Sequence, residues 1–170
     1  KRKLFADLDS VAPAHAILAT NSSTIPSSHI ADATGRPDRV CNMHFFNPAL
    51  VMACVEVVRN PQTSEATIEA VVETSRRIGK QPVRLDKEVP GFVANRLLMM
   101  INDEAIRLYA DGVATIEDID TAAVTALGHP MGPFTLMDLI GNDVLYLVHQ
   151  ATFQMTGDEA DLPHPKLTEL

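Results

Sequence analysis

Met43-His44-Phe45-Phe46-Asn47-Pro48 is followed, twelve positions after the histidine, by Glu56 in Val55-Glu56-Val57-Val58. The apolar runs from Arg39 to Phe46 and from Cys54 to Arg59 read as strands, with a short turn around Pro48 between them. A parallel pair needs a crossover of about a dozen residues or more, so these strands are expected to be antiparallel neighbours. With the turn centred near Leu50, His44 and Glu56 are equidistant from it and face each other across the ladder. A single-residue slip would send them to opposite faces.

Upstream, Ala16-Ile17-Leu18-Ala19-Thr20 is a short apolar run that suits a strand covered on both sides. Asn21-Ser22-Ser23-Thr24 reads as the turn beyond it, and Pro26 suits the first turn of a short helix through about Ala33. Residues 3–12 read as a helix with Leu4, Phe5, Leu8 and Val11 on one face. Downstream, Thr63 or Ser64 can cap a helix to Ile78, with Ile68, Val71, Val72, Ser75 and Ile78 as its buried stripe and Gly79 as its stop. Val83 and Leu85 mark a last strand. Reached through a helix, it is expected to run parallel to the strand at Cys54–Arg59.

Strand and helix alternate up to Pro90-Gly91, and beyond that point only helices read convincingly. They cover Phe92–Asp111, a stretch capped by Thr115 and ended by Gly128, a segment opened by Pro133, and Asp143–Met155. The expected fold class is α/β plus all-α, in two domains at residues 1–89 and 90–170.

Composition narrows the function. The chain has 170 residues, 46% of them apolar, so a packed core is expected. A net charge of −8 argues against a nucleic-acid surface. Arg76, Arg77 and Lys80 form the densest internal basic group, at a helix end where cations suit the dipole. Cys41 and Cys54 lie in apolar runs and read as reduced core thiols. No metal-ligand spacing and no membrane-spanning run is present, and Asp7 and Asp9 interrupt what could have been a signal peptide. A cytoplasm-like compartment fits these features.

His44 sits near the carboxyl end of its strand, where open α/β sheets place their ligands. A carboxylate on one ring nitrogen fixes the tautomer and leaves the other nitrogen free to take a proton. The plainer alternatives are a satisfied core histidine and a solvent-facing glutamate. Ser23 lies on the same sheet edge, where its hydroxyl could bond a substrate oxygen, although the segment also fits ordinary turn chemistry. Asn95 falls on the first turns of the helix after the hinge and could face an interdomain cleft; its alternative is a solvated helix position. His129 belongs to a stiff interhelical loop, and Met99 and Met100 suit core or subunit contact.

Asn21-Ser22-Ser23, His44-Phe45-Phe46-Asn47-Pro48, Val55-Glu56-Val57, Pro90-Gly91-Phe92-Val93-Ala94-Asn95-Arg96 and Pro130-Met131-Gly132-Pro133-Phe134 stand in an order that resembles the L-3-hydroxyacyl-CoA dehydrogenases. That group includes the bacterial 3-hydroxybutyryl-CoA dehydrogenases. The resemblance implies the C-terminal half of a Rossmann-like NAD-binding domain followed by a helical substrate and dimerisation domain. It implies NAD-dependent oxidation of a 3-hydroxyacyl-CoA, in fatty-acid β-oxidation or butanoate metabolism. His44 would take the hydroxyl proton and Glu56 would orient it. Ser23 would bond the reacting oxygen, and Asn95 would help place the acyl group. Asn21, Ser23 and Asn47 would lie along the cofactor, with Asn47 near the nicotinamide. Acyl-CoA as substrate, a homodimer through the helical domain, and a cytoplasmic location (mitochondrial matrix in a eukaryote) follow from the same likeness.

The chain departs from that pattern in three places. No glycine-rich phosphate loop, ribose-binding acid or early basic group for CoA phosphates precedes the strands, no glycine-rich aromatic tail follows, and Ala53-Cys54 stands where relatives often have lysine and leucine. Without the phosphate loop, the 170 residues alone are expected to show little or no dehydrogenase activity. Two other readings remain open: another hydroxyacid dehydrogenase of the same architecture, such as the crystallin-related sugar-acid oxidoreductases, and an assembly module whose free sheet edge seeks a partner.

Overall fold

The computed structural model describes residues 1–23 and 25–169. The chain divides into two units, Lys1–Val93 and Ala94–Leu170. The break falls a few residues beyond Pro90.

The first unit holds helix α1 (Arg2–Val11), strand β1 (Leu18–Thr20), helix α2 (Ser28–Ala31), strands β2 (Val40–Phe45) and β3 (Cys54–Val58), helix α3 (Glu65–Arg77) and strand β4 (Gln81–Leu85). The sheet order is β1-β2-β3-β4. Crossovers through α2 and α3 make β1–β2 and β3–β4 parallel, and the short turn makes β2–β3 antiparallel. The register places His44 opposite Glu56 and Phe45 opposite Val55, as the turn length requires.

Period-two alternation then sorts the side chains by face. Cys41, Val55 and Val57 face α3, where they bury Ile68 and Val71. Burial pushes the Cys41 thiol up to about 12, so it packs as an inert apolar group. On the other face, Leu18 and Val40 meet Phe5, Ile30 and Ala31 of the first two helices, while Val58 and Leu85 meet Phe92. Each such side chain, fully buried, stabilises by about 1.5–3 kcal/mol. Asn42, His44 and Glu56 share this second face, so polar groups stand where the alternation calls for apolar ones.

Ser64 caps α3, its hydroxyl accepting from the Thr67 N–H at 3.2 Å. Pro82 sits inside β4, which pairs with β3 alone among the described residues, a position that tolerates a missing N–H. Several expectations are corrected. Helix α2 stops at Ala31 rather than Ala33. Only Phe5 of the α1 stripe is buried, while Leu4, Leu8 and Val11 are exposed, and so is Ile78 at the end of α3. Ala19 is exposed, so β1 is covered on the Leu18 and Thr20 side only. Thr24, the last residue of the expected turn, lies outside the described residues.

The second unit holds α4 (Ala94–Ala110), α5 (Ile116–Leu127), α6 (Pro133–Ile140) and α7 (Asn142–Thr156), then two short 3-10 turns. Thr115 caps α5, accepting from the Asp118 N–H at 3.1 Å, and Gly128 closes it in the left-handed region. Ala105, Ile106, Ile119, Phe134, Met137, Leu145 and Leu167 form the core. Asp120 reaches from α5 to the start of α6, accepting from the N–H groups of Phe134 and Thr135 at 2.8 and 2.9 Å.

Candidate active site

The site begins with a mismatch of side chain and position. His44 and Glu56 are 3% and 1% exposed, in strands whose other buried residues, Asn42 apart, are valine and cysteine. Burial of such groups is tolerable only when their polar atoms are paired. Nδ1 of His44 lies 2.9 Å from Oε2 of Glu56. The second carboxylate oxygen, Oε1, accepts the backbone N–H of Val93 at 3.0 Å. Both oxygens of the acid are therefore fixed. Facing a carboxylate, Nδ1 carries the hydrogen, and the Nε2 lone pair is left available as an acceptor.

Two rings fix the imidazole from its sides. The centroid of Phe46 lies 4.6 Å away and that of Phe92 5.5 Å away, both tilted. Phe92 is fully buried. It has φ +51, straight after Gly91 at φ +72. Two consecutive left-handed residues turn the chain sharply enough for the ring to cover the imidazole while the next N–H meets Glu56. A bulky side chain in that region carries strain of about 1–3 kcal/mol, offset here by burial and by the Val93 bond. The sequence reading missed Phe46, Phe92 and the Val93 amide as parts of the site. The Gly91-Phe92 pair inside the quoted motif was the available signal.

Ser23 lies just past β1 and is exposed. Its hydroxyl makes no hydrogen bond among the described residues. Asn21 is tied to the end of β2, its Oδ1 accepting from the Phe45 N–H at 2.8 Å. The turn after β1 is thereby anchored one residue from His44. Asn47 is exposed beyond β2, before a cis peptide to Pro48. Asn95 stands on the first turn of α4, in the second unit. The structure thus brings His44 and Glu56 into contact and sets the Asn21–Ser23 turn at the same sheet edge. Asn95 belongs to the other unit. The described residues hold no group of three or more His, Cys, Asp or Glu side chains able to hold a metal ion, and no helix among them is long and apolar enough to cross a membrane.

His44 stands near the carboxyl end of β2, and its buried pairing with Glu56 is an arrangement that can do general acid–base chemistry. Residues 1–89 match the family model for the 3-hydroxyacyl-CoA dehydrogenase NAD binding domain, and residues 91–170 match that for the 3-hydroxyacyl-CoA dehydrogenase C-terminal domain. The chain therefore belongs to the 3-hydroxyacyl-CoA dehydrogenase family. Among its relatives, the human mitochondrial hydroxyacyl-coenzyme A dehydrogenase is 44% identical over 171 residues, covering 100% of this chain and 54% of the relative. The 3-hydroxybutyryl-CoA dehydrogenase of Clostridioides difficile is also 44% identical, over 100% of this chain and 60% of its own. A solved structure of 3-hydroxybutyryl-CoA dehydrogenase from Escherichia coli K12 superposes with a TM-score of 0.92 at 40% identity, covering 99% of this chain and 36% of that one. The chain thus spans 54–60% of the length of these two curated relatives.

Proposed function

We propose that these residues form the acid–base site of an enzyme that oxidises a 3-hydroxyacyl-CoA to the 3-ketoacyl-CoA with NAD. The observation that carries this reading is the His44–Glu56 contact at 2.9 Å, with the carboxylate held on its other side by Val93. The substrate hydroxyl lies against Nε2 of His44 and gives up its proton there as the C3 hydride departs. Bound NAD supplies the hydride acceptor. Glu56 keeps the hydrogen on Nδ1 and stabilises the imidazolium that forms. The hydroxyl of Ser23 bonds the reacting oxygen, and Asn95 helps to place the acyl group.

The polar groups at the strand ends fit the nicotinamide end of a dinucleotide. Asn21 retains its Nδ2 as a donor, while Ser23 and Asn47 present exposed polar side chains. The substrate class rests on the named relatives and on the motifs around Asn47-Pro48 and Pro130–Phe134. A homodimer through the helical unit fits the exposed Leu97, Met100, Leu127, Leu139 and Leu147 on its helices. A location in the cytoplasm, or in the mitochondrial matrix in a eukaryote, completes the reading; the human relative is named as mitochondrial.

The test is NADH formation from 3-hydroxybutyryl-CoA by the full-length gene product. His44→Gln is expected to slow turnover by about two to four orders of magnitude, the usual weight of general-base catalysis. Turnover within twofold of the parent would overturn the assignment.

A further inference from the structure

Asn42 is an unexpected residue for its place. It lies mid-strand in β2, fully buried, where the alternation calls for an apolar side chain. Both ends of its amide are engaged, and both partners lie in the segment that carries Ser23. Oδ1 accepts the Ser27 N–H at 2.9 Å, and Nδ2 donates to the Ser22 carbonyl at 3.0 Å. One rigid side chain thus brackets the backbone on either side of Ser23.

The bracket is itself braced. The Ser27 hydroxyl donates to Oε1 of Glu88 at 3.0 Å, and the same oxygen accepts the Ser28 N–H at 3.0 Å. Asn60 donates through Nδ2 to the Ser27 hydroxyl at 3.1 Å and to the Val40 carbonyl at 2.9 Å. On the near side, the Ser22 N–H donates to the Thr20 hydroxyl at 3.3 Å. Every one of these bonds fixes backbone or a buried neighbour, and none uses the Ser23 hydroxyl.

We propose that Asn42 is a positioning residue for the reaction, acting through Ser23. It sets where that hydroxyl stands relative to His44, two residues further along the same strand face. The proposal rests on the reading of Ser23 as the residue that bonds the reacting oxygen. A hydroxyl on a turn is otherwise a loose group, and displacement of a reacting contact by an ångström costs on the order of a hundredfold in rate.

The experiment is a double-mutant cycle in the full-length gene product, with kcat and KM measured for 3-hydroxybutyryl-CoA oxidation. Ser23→Ala and Asn42→Ala are each expected to lower kcat roughly tenfold or more, with KM changed by less. In the Ser23→Ala background, Asn42→Ala is expected to cost no more than about twofold further, because the group it positions is gone. Equal losses in both backgrounds would overturn the proposal and leave the Ser23 reading intact, with Asn42 acting on His44 or on stability alone. A Ser23→Ala enzyme as fast as the parent would remove the Ser23 reading and this proposal with it. If Asn42→Ala unfolds at the assay temperature, the near-isosteric Asn42→Asp carries the comparison, since it keeps the acceptor for Ser27 and loses the donor to Ser22. A protein that folds with neither replacement would show Asn42 to be structural and overturn the proposal.

Discussion

Glu56 commits one oxygen to Nδ1 of His44 and the other to the Val93 N–H. Its removal therefore acts on the imidazole and on the turn at once. Glu56→Gln keeps the volume but replaces one acceptor with an NH2 group that must face either Nδ1–H or Val93 N–H, both donors. The tautomer preference of His44 is lost, and the imidazolium loses its counter-charge. Turnover is expected to fall by about 10²–10⁴, with KM moved far less, as when the orienting acid of a histidine base is neutralised. A KM increase with unchanged kcat would show that Glu56 only binds substrate. This pair was legible in the sequence because a short connection lets the register be counted, and His44 and Glu56 stand equally far from Leu50. The Val93 bond was not legible, because it joins residues 37 positions apart through a left-handed Phe92 that no propensity favours. Asn42 did leave a trace, as an amide in an apolar strand.

At the scale of elements, the α5–α6 junction leaves little room at Gly132. A Cβ at Gly132 would lie 2.1 Å from Cγ and 2.4 Å from Cβ of Asp120, so alanine there displaces the carboxylate that caps α6. Gly132→Ala is expected to destabilise the protein by about 1–3 kcal/mol, lowering the thermal midpoint by several degrees. An unchanged midpoint would mean that Asp120 shifts freely. The α4–α7 contact adds a pH dependence. Nε2 of His149 lies 3.3 Å from Oδ1 of Asp103, and Nδ1 lies 3.2 Å from the Asp161 carbonyl. The hydrogen bond and charge of Asp103 raise the affinity of the imidazole for its proton above the ordinary value of 6.5, against the opposing effect of burial. A raised folded-state value means that the stabilisation is complete below about pH 6.5 and is lost as pH climbs through the folded-state value. Thermal midpoints measured upward from pH 6 are expected to decline, and Asp103→Asn is expected to flatten that decline. Parallel curves for the two proteins would exclude the pair as its source. The helix limits were readable from Ser64, Thr115, Gly128 and Pro133, since capping chemistry is local. The exposure of Leu4, Leu8 and Val11 was not, because an amphipathic stripe shows which side is apolar and never what meets it.

For the whole molecule, the relevant comparison is between what 170 residues contain and what a dinucleotide enzyme needs. The His44–Glu56 pair, the candidate hydroxyl and the helical unit are all present in this stretch. A glycine-rich phosphate cradle is not found among the 170 residues. The purified 170-residue chain is therefore expected to give no NADH from 3-hydroxybutyryl-CoA, and light scattering after size exclusion is expected to show a dimer. A measurable NAD-dependent rate would contradict the first expectation, and a monodisperse monomer the second. Higher species would favour pairing through exposed strand edges. The class of fold was readable because alternation of strand and helix gives way to helices alone at one proline-glycine step.

The segment from Gly91 to Val93 is also the covalent exit from the sheet unit. Its phenylalanine lies tilted beside His44, and its last amide hydrogen is held by Glu56, the acid bonded to that imidazole. The chain therefore departs as a moored line rather than a slack one. Lengthening that segment by a single glycine ahead of Val93 would loosen the mooring and free the Glu56 oxygen it holds, without touching either strand.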